Sequence, residues 1–211
     1  MHQPPASPIG PHPDPHPRTR TLIPQALTGT AFAPYGQVLQ VPADGHDGQA
    51  INEGTSQRFE LVADAQLSAV AGRPVISISR ALARRMPMDL RVMERHRLGS
   101  QSFVPLGAAR RFLLVVAEAA VPAAALAAHL QAFVTDGRQG VLLAPGTWHH
   151  GLLALDAGDY LVLERRGDAV DCDLAVLAPP VRLAWSDGAS GVSGASGVSG
   201  ADPPGGAGGA A

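Results

Sequence analysis

Lysine is missing from this chain of 211 residues: all sixteen basic residues are arginine. With no primary amine on any side chain, Schiff-base chemistry and a P-loop lysine are both excluded. Cysteine is almost as scarce. The single Cys172 excludes a disulfide framework and any Cys-x-x-Cys zinc or redox pair, and it fits a reducing compartment. Long apolar runs are missing too. No stretch gives about 18 uncharged apolar residues with suitable flanks, and the opening MHQPPASPIGPHPDPHPRTR has no signal-peptide core. A cytoplasmic protein is expected, with no membrane partner. The formal net charge is −2 and the arginines are scattered, so the basic footprint of a nucleic-acid binder is absent. A small-molecule partner is expected instead.

What is present is enough apolar material for one core, 45% of the residues, in a chain of single-domain length. Residues 1–20 are rich in proline with interspersed histidine, and residues 186–211 contain the near-repeat GASGVSGASGVSG. Neither composition can offset its ordering entropy by burial, so both read as disordered tails. His2, His12 and His16 lie in the first tail, where proline spacing makes a poor metal site. The expected folded domain is 21–185.

Within that domain PVISISRAL, SFVPL, RFLLVVAEA, QAFVTD, QGVLLAPG and DYLVLERR are short runs of branched aliphatics bounded by turn-formers. They predict a mainly β fold, a sandwich or barrel. Two segments read as helical. LTGTAFAPYG has Thr28 or Thr30 as N-cap and Gly36 as stop, and VPAAALAAHLQAF is alanine-rich with a proline near its start. RRMPMDLRVMERH is ambiguous, with Pro87 arguing against a continuous helix.

Two stretches carry chemistry. In RVMERHRLGSQSFVPLG, strand alternation places Glu94 and His96 on one face, and Gln101 follows after a glycine-containing turn. In APGTWHHGLL, a turn at Pro145-Gly146 feeds Trp148, His149 and His150 into a strand, so only one of the two histidines can face inward. Taken alone, the first stretch reads equally well as a solvated charged strand end. The order Glu94, His96, Gln101, Gly107, then Pro145-Gly146 and His149 resembles the two bipartite motifs of the cupin superfamily, with Glu94 in place of a first histidine and Gln101 in place of a glutamate.

Further segments sharpen the resemblance: AFAPYGQVL, INEGTSQRF, ISISRA, LQAFVTDGRQGVLLAPGTWHHGLL and DYLVLERRGDAVDCDL. Together they look like the ureidoglycolate lyase family of purine (allantoin) catabolism, over about Leu22 to Leu177. The resemblance implies a cupin-like double-stranded β-helix, a homodimer, cleavage of ureidoglycolate to glyoxylate and urea, and a divalent metal, nickel foremost, with no organic cofactor. The chain departs from the family pattern at Asn52-Glu53, where two asparagines are usual, at Glu164 where an aspartate begins a DRGG motif, and at Gly151 where a proline is common.

Ureidoglycolate carries hydroxyl, carboxylate and urea nitrogen on one carbon. Its C–N cleavage needs removal of the hydroxyl proton, protonation of the departing nitrogen and restraint of the carboxylate, with no covalent intermediate. The expected catalytic residues are His96, His149, Glu94 and Gln101, the same four being the expected metal ligands. Arg80 is the expected bidentate clamp for the carboxylate. Asn52 and Glu164 are expected to bind the urea half and Trp148 to wall the pocket, although tryptophan beside a strand also reads as core. His150 reads as a structural or interface residue, Cys172 as a buried small hydrophobe and His129 as exposed; His46 sits on a loop able to cover a pocket. Two other functions stay open: a metal-dependent cupin enzyme acting on another small hydroxy acid, and a non-catalytic cupin-like sensor.

Overall fold

The fold is described from a computed structural model, covering residues 19–186 except 44, 46, 47 and 169. Among the described residues, fifteen strands and two short α-helices follow one another. They are β1 (Thr21–Leu22), β2 (Gln25–Ala26), α1 (Gly29–Phe32), β3 (Gly36–Leu39), β4 (Gln49–Ile51), β5 (Ser56–Arg58), β6 (Arg73–Ala81), β7 (Met88–Arg95) and β8 (Gln101–Pro105). Next come β9 (Phe112–Ala117), α2 (Leu126–His129), β10 (Gln131–Val134), β11 (Gly140–Leu143), β12 (Trp148–His149), β13 (Leu153–Ala154), β14 (Gly158–Arg166) and β15 (Asp173–Leu183).

The architecture is mainly β, with two curled sheets forming a half-barrel, as the cupin resemblance implies. One sheet runs β1-β15-β7-β12-β9-β10-β2, with β13 also paired to β9, and the other runs β3-β11-β8-β14-β6. Strand β9 shows why RFLLVVAEA is an unbroken apolar run. Its Phe112, Leu114 and Val116 face the inter-sheet core with Phe32, Phe103, Phe133, Val141, Tyr160 and Val162. The alternate residues Leu113, Val115 and Ala117 face a second core with Leu90, Met93, Trp148, Leu153 and, from the helical segment, Leu126 and Leu130. A strand buried on both faces loses the polar alternation of a half-exposed one.

Thr28, of the two candidate caps, starts α1: its hydroxyl accepts from Ala31 N at 3.2 Å. The second helical expectation is too long. Only residues 123–129 are helical, as a 3₁₀ turn running into α2, and Gln131 already belongs to β10, pairing with Val116. Alanine favours a helix, but the apolar Ala132 and Phe133 are buried by sheet pairing. The ambiguous RRMPMDLRVMERH resolves into β7 from Met88 onward, and His129 is exposed as expected. Residues 1–18 and 187–211 of the two tails, with His2, His12 and His16, and the loop residue His46 fall outside the described residues, whereas Arg20, placed in the first tail, donates to the Ala127 and Leu130 carbonyls.

Candidate active site

Register brings the two sequence motifs together. On β7, Glu94 pairs with His149 of β12, and His149 pairs on its other side with Val116 of the inter-sheet core. His149 therefore points between the sheets, while its neighbour Trp148 points the opposite way. The Pro145-Gly146 turn sets this up. Gly146 adopts φ +81, a left-handed conformation natural to glycine, and its N–H donates to the His96 carbonyl at 2.6 Å. One hydrogen bond thus ties the start of the second motif to the centre of the first. From the facing sheet, Gln101 of β8 pairs with Glu164 of β14.

Three donor groups converge: ligand atoms of Glu94, His96 and His149 lie within 4.8 Å of one another. The hydrogen bonds define what those atoms offer. His149 Nδ1 donates to the Thr147 carbonyl at 2.9 Å, which leaves Nε2 as a lone pair. That lone pair lies 3.1 Å from Gln101 Oε1 and 3.6 Å from Glu94 Oε1. His96 Nδ1 likewise donates to the Asp171 carbonyl, and its buried Nε2 has no hydrogen-bond partner.

Gln101 cannot relieve this crowding of acceptors. Its Nε2 donates to Glu164 Oε2 at 3.1 Å, so its oxygen must face His149; turned over, it would set the oxygen against a carboxylate. Protonating His149 would supply the missing donor, but burial opposes that. The imidazole is 2% exposed, and its pKa is pushed down to about 4, chiefly by desolvation, with the Thr147 hydrogen bond opposing and His96 and His150 reinforcing. A neutral His149, an orphaned His96 Nε2, a carboxylate and an amide oxygen around one point form an N/O donor set suited to a divalent cation. The residues present fit such an ion.

The adjoining cavity, of about 170 Å³, is lined by His96, Ser100, Glu164, Arg166, Asp171 and Cys172 among others. Glu164, facing inward like Tyr160 and Val162 of the same strand, accepts from Gln101 and, at 3.2 Å, from Arg166. Four expectations therefore come together with Glu164: Glu94, His96, Gln101 and His149. Three do not.

Arg80 is 83% exposed and forms a bidentate pair with Asp159 at 2.8 and 3.0 Å. In the β6–β14 register Arg80 lies opposite Asp159, while Glu164 lies opposite Val75, five residues away along the strand or about 16 Å at about 3.3 Å per residue. The arginines that line the cavity are Arg166, whose side chain is exposed, and Arg165, whose side chain is buried. Asn52 occupies the exposed turn between β4 and β5 at φ +50, away from the cavity. Trp148 packs in the outer core, donates to the Val121 carbonyl at 3.0 Å and lies under Arg95 at 4.2 Å. It belongs to the framework behind His149. Cys172 is exposed rather than buried and approaches Glu94 Oε2 at 3.9 Å. Sequence reasoning also passed over Arg166 and Asp171. The first stands two residues beyond Glu164 in ERRG, a signal that register alone turns into a contact; the second sits in a connecting loop with no pattern to mark it.

Comparison with known proteins identifies the family. The family model described as "Ureidoglycolate lyase" matches residues 19–184. A ureidoglycolate lyase of Burkholderia cepacia is 41% identical over 171 residues, covering 80% of this chain and 90% of that protein. Those of Pseudomonas syringae pv. syringae and Pseudomonas fluorescens are 44% and 42% identical over 156 residues, covering 73% of this chain and 88% and 90% of theirs. From the matched span, these identities and the convergence of both motifs, the chain belongs to the ureidoglycolate lyase family.

Proposed function

We propose that the protein is a carbon–nitrogen lyase that cleaves ureidoglycolate to glyoxylate and urea, as a step of purine (allantoin) breakdown. The observation that carries this reading is the convergence of His96, His149 and Glu94 beside an inward-facing second carboxylate, Glu164, in a chain of this family. His96 and His149 through Nε2, with Glu94 and Gln101, would hold a divalent ion, nickel in the first instance. Such an ion supplies Lewis acidity toward an oxygen of the substrate.

The chain's own residues do the rest. Arg166, at the cavity mouth, pairs with the substrate carboxylate, because a guanidinium matches a carboxylate bidentately. Glu164 is the acceptor left once the two histidines and Glu94 are committed. It takes the hydroxyl proton as the carbonyl forms and returns it to the urea nitrogen as the C–N bond breaks, so no water is consumed. Gln101 holds Glu164 through its amide N–H. Trp148 and the apolar strands behind His149 keep water from that side of the ring.

We place the catalytic unit at 21–185, in a cytoplasmic homodimer. Ile76 and Ile78, 69% and 63% exposed on the edge strand β6, favour a covered face, and sedimentation of the purified chain at a dimer mass checks this. No helix among the described residues is long and apolar enough to cross a membrane. The activity is tested by incubating the protein with racemic ureidoglycolate and following glyoxylate, urea and ammonia against the spontaneous background. Equal glyoxylate and urea support the lyase. Ammonia in place of urea indicates hydrolysis of the ureido group, and saturable binding without product indicates a sensor.

A further inference from the structure

The donor role of His96 depends on its ring presenting Nε2, not Nδ1, to the cavity. What decides this is the Asp171 carbonyl, which accepts from Nδ1. Asp171 belongs to the connection between β14 and β15, where no ladder holds the backbone. Its carboxylate, only 12% exposed, supplies the missing anchor. Oδ1 accepts from the peptide N–H groups of Arg97 and Leu98 at 2.7 and 3.0 Å, and Oδ2 from Leu98 at 3.2 Å. One residue thus holds the His96 ring through its carbonyl and the two peptides after His96 through its side chain.

A buried cation stands behind it. The Arg165 side chain is 1% exposed, with Nη1 3.8 Å from Asp171 Oδ2 and without a hydrogen-bond partner of its own. Its Nε and Nη2 donate to the carbonyls of Ala69 and Val70 at 2.6 and 2.9 Å. The backbone is built closely around it: a Cβ added at Gly72 or Gly99 would fall 2.2 Å from Arg165 Nε or 2.3 Å from Arg165 Cβ. A charge so desolvated needs its counter-ion, and the contact holds the Asp171 side chain in place.

We propose that Asp171, backed by Arg165, is a positioning residue that fixes His96 in the Nδ1–H tautomer and so aims Nε2 at the ion site. This deepens the reading of His96 given above and rests on it. The test is long-range ¹H–¹⁵N correlation of the histidine rings in the full chain, chelator-treated and well above the ordinary imidazole pKa, followed by nickel titration. Wild type should show His96 as a single Nδ1–H tautomer.

D171A, which frees the carbonyl, should give mixed tautomers and weaken nickel binding on the order of tenfold, a usual cost of losing an outer partner of a ligand. D171N, whose Oδ1 can still accept from Arg97 and Leu98, should restore both. If D171A is not recovered folded, D171S replaces it, because its shorter hydroxyl cannot span both peptides. A folded variant that keeps the Nδ1–H tautomer and the wild-type nickel affinity would overturn the proposal. The tautomer is read without metal or substrate, so an inactive wild type would sink the lyase reading and leave this one standing.

Discussion

Burial of His149 makes the metal-free protein acid-sensitive by an amount that can be worked out. An imidazole of ordinary pKa about 6.5 in the unfolded chain falls to about 4 in the fold. The unfolded state therefore binds more protons between those values, and stability is fully present above about pH 6.5 and lost as pH falls toward 4. At pH 5 the loss is about 2 kcal/mol, reaching about 3 kcal/mol below pH 4. Both figures are upper bounds, because Glu94 Oε1 at 3.6 Å favours the imidazolium. The assay is urea unfolding of chelator-treated wild type and H149Q at several pH values from 7.5 down to 5. Other titrating groups act on both proteins, so the difference between the two curves isolates His149. Wild type should lose about 2 kcal/mol more than H149Q over that range. Parallel curves would refute the neutral, desolvated imidazole on which the lone-pair reading depends.

Other perturbations separate site from framework. R80A should leave KM within about twofold, since exposed ion pairs contribute about 0–1 kcal/mol and Arg80 lies well away along β6; R166A should raise KM about tenfold or more, the usual cost of a charge-assisted hydrogen bond. A tenfold rise for R80A would restore that residue to the site. Q101E should tighten nickel binding while lowering the Tm of the metal-free protein, because a third carboxylate joins Glu94 and Glu164; equal Tm values without metal would contradict the spacing of those groups. W148A should cost about 3–5 kcal/mol of stability by emptying the outer core and change kcat per folded molecule far less than H96A does, as unfolding and active-site titration together can check.

The parts of the site legible in the sequence are those governed by strand alternation. Glu94 lies at the end of β7 and His96 two residues on, just past it, and His149 has to face away from Trp148 and His150; period two settles both without any knowledge of topology. Gln101 could be joined to them because it opens the next strand. Arg80 is the complementary case. Its place depends on the β6–β14 register, and residue type alone offered sixteen arginines with nothing to rank them by depth. Arg165 is further out of reach, since on its strand it alternates with Glu164 and reads as solvated; burial under residues 69–72 is a tertiary fact. Cys172 reads as a small core residue by composition, yet it lies in an exposed connection beside Glu94. The short α2 shows the same competition, with alanine propensity yielding where β9 offers Phe133 a buried place.

The most direct measurement is steady-state cleavage of ureidoglycolate by chelator-treated wild type, H96A and H149A across a nickel titration, with nickel affinity measured on the same samples by calorimetry. The account predicts that wild-type activity saturates with the occupancy of one site, and that both variants lose affinity and kcat together by far more than their loss of melting temperature in chelator explains. Full turnover by either variant, or nickel binding unaltered by loss of either imidazole, would contradict it.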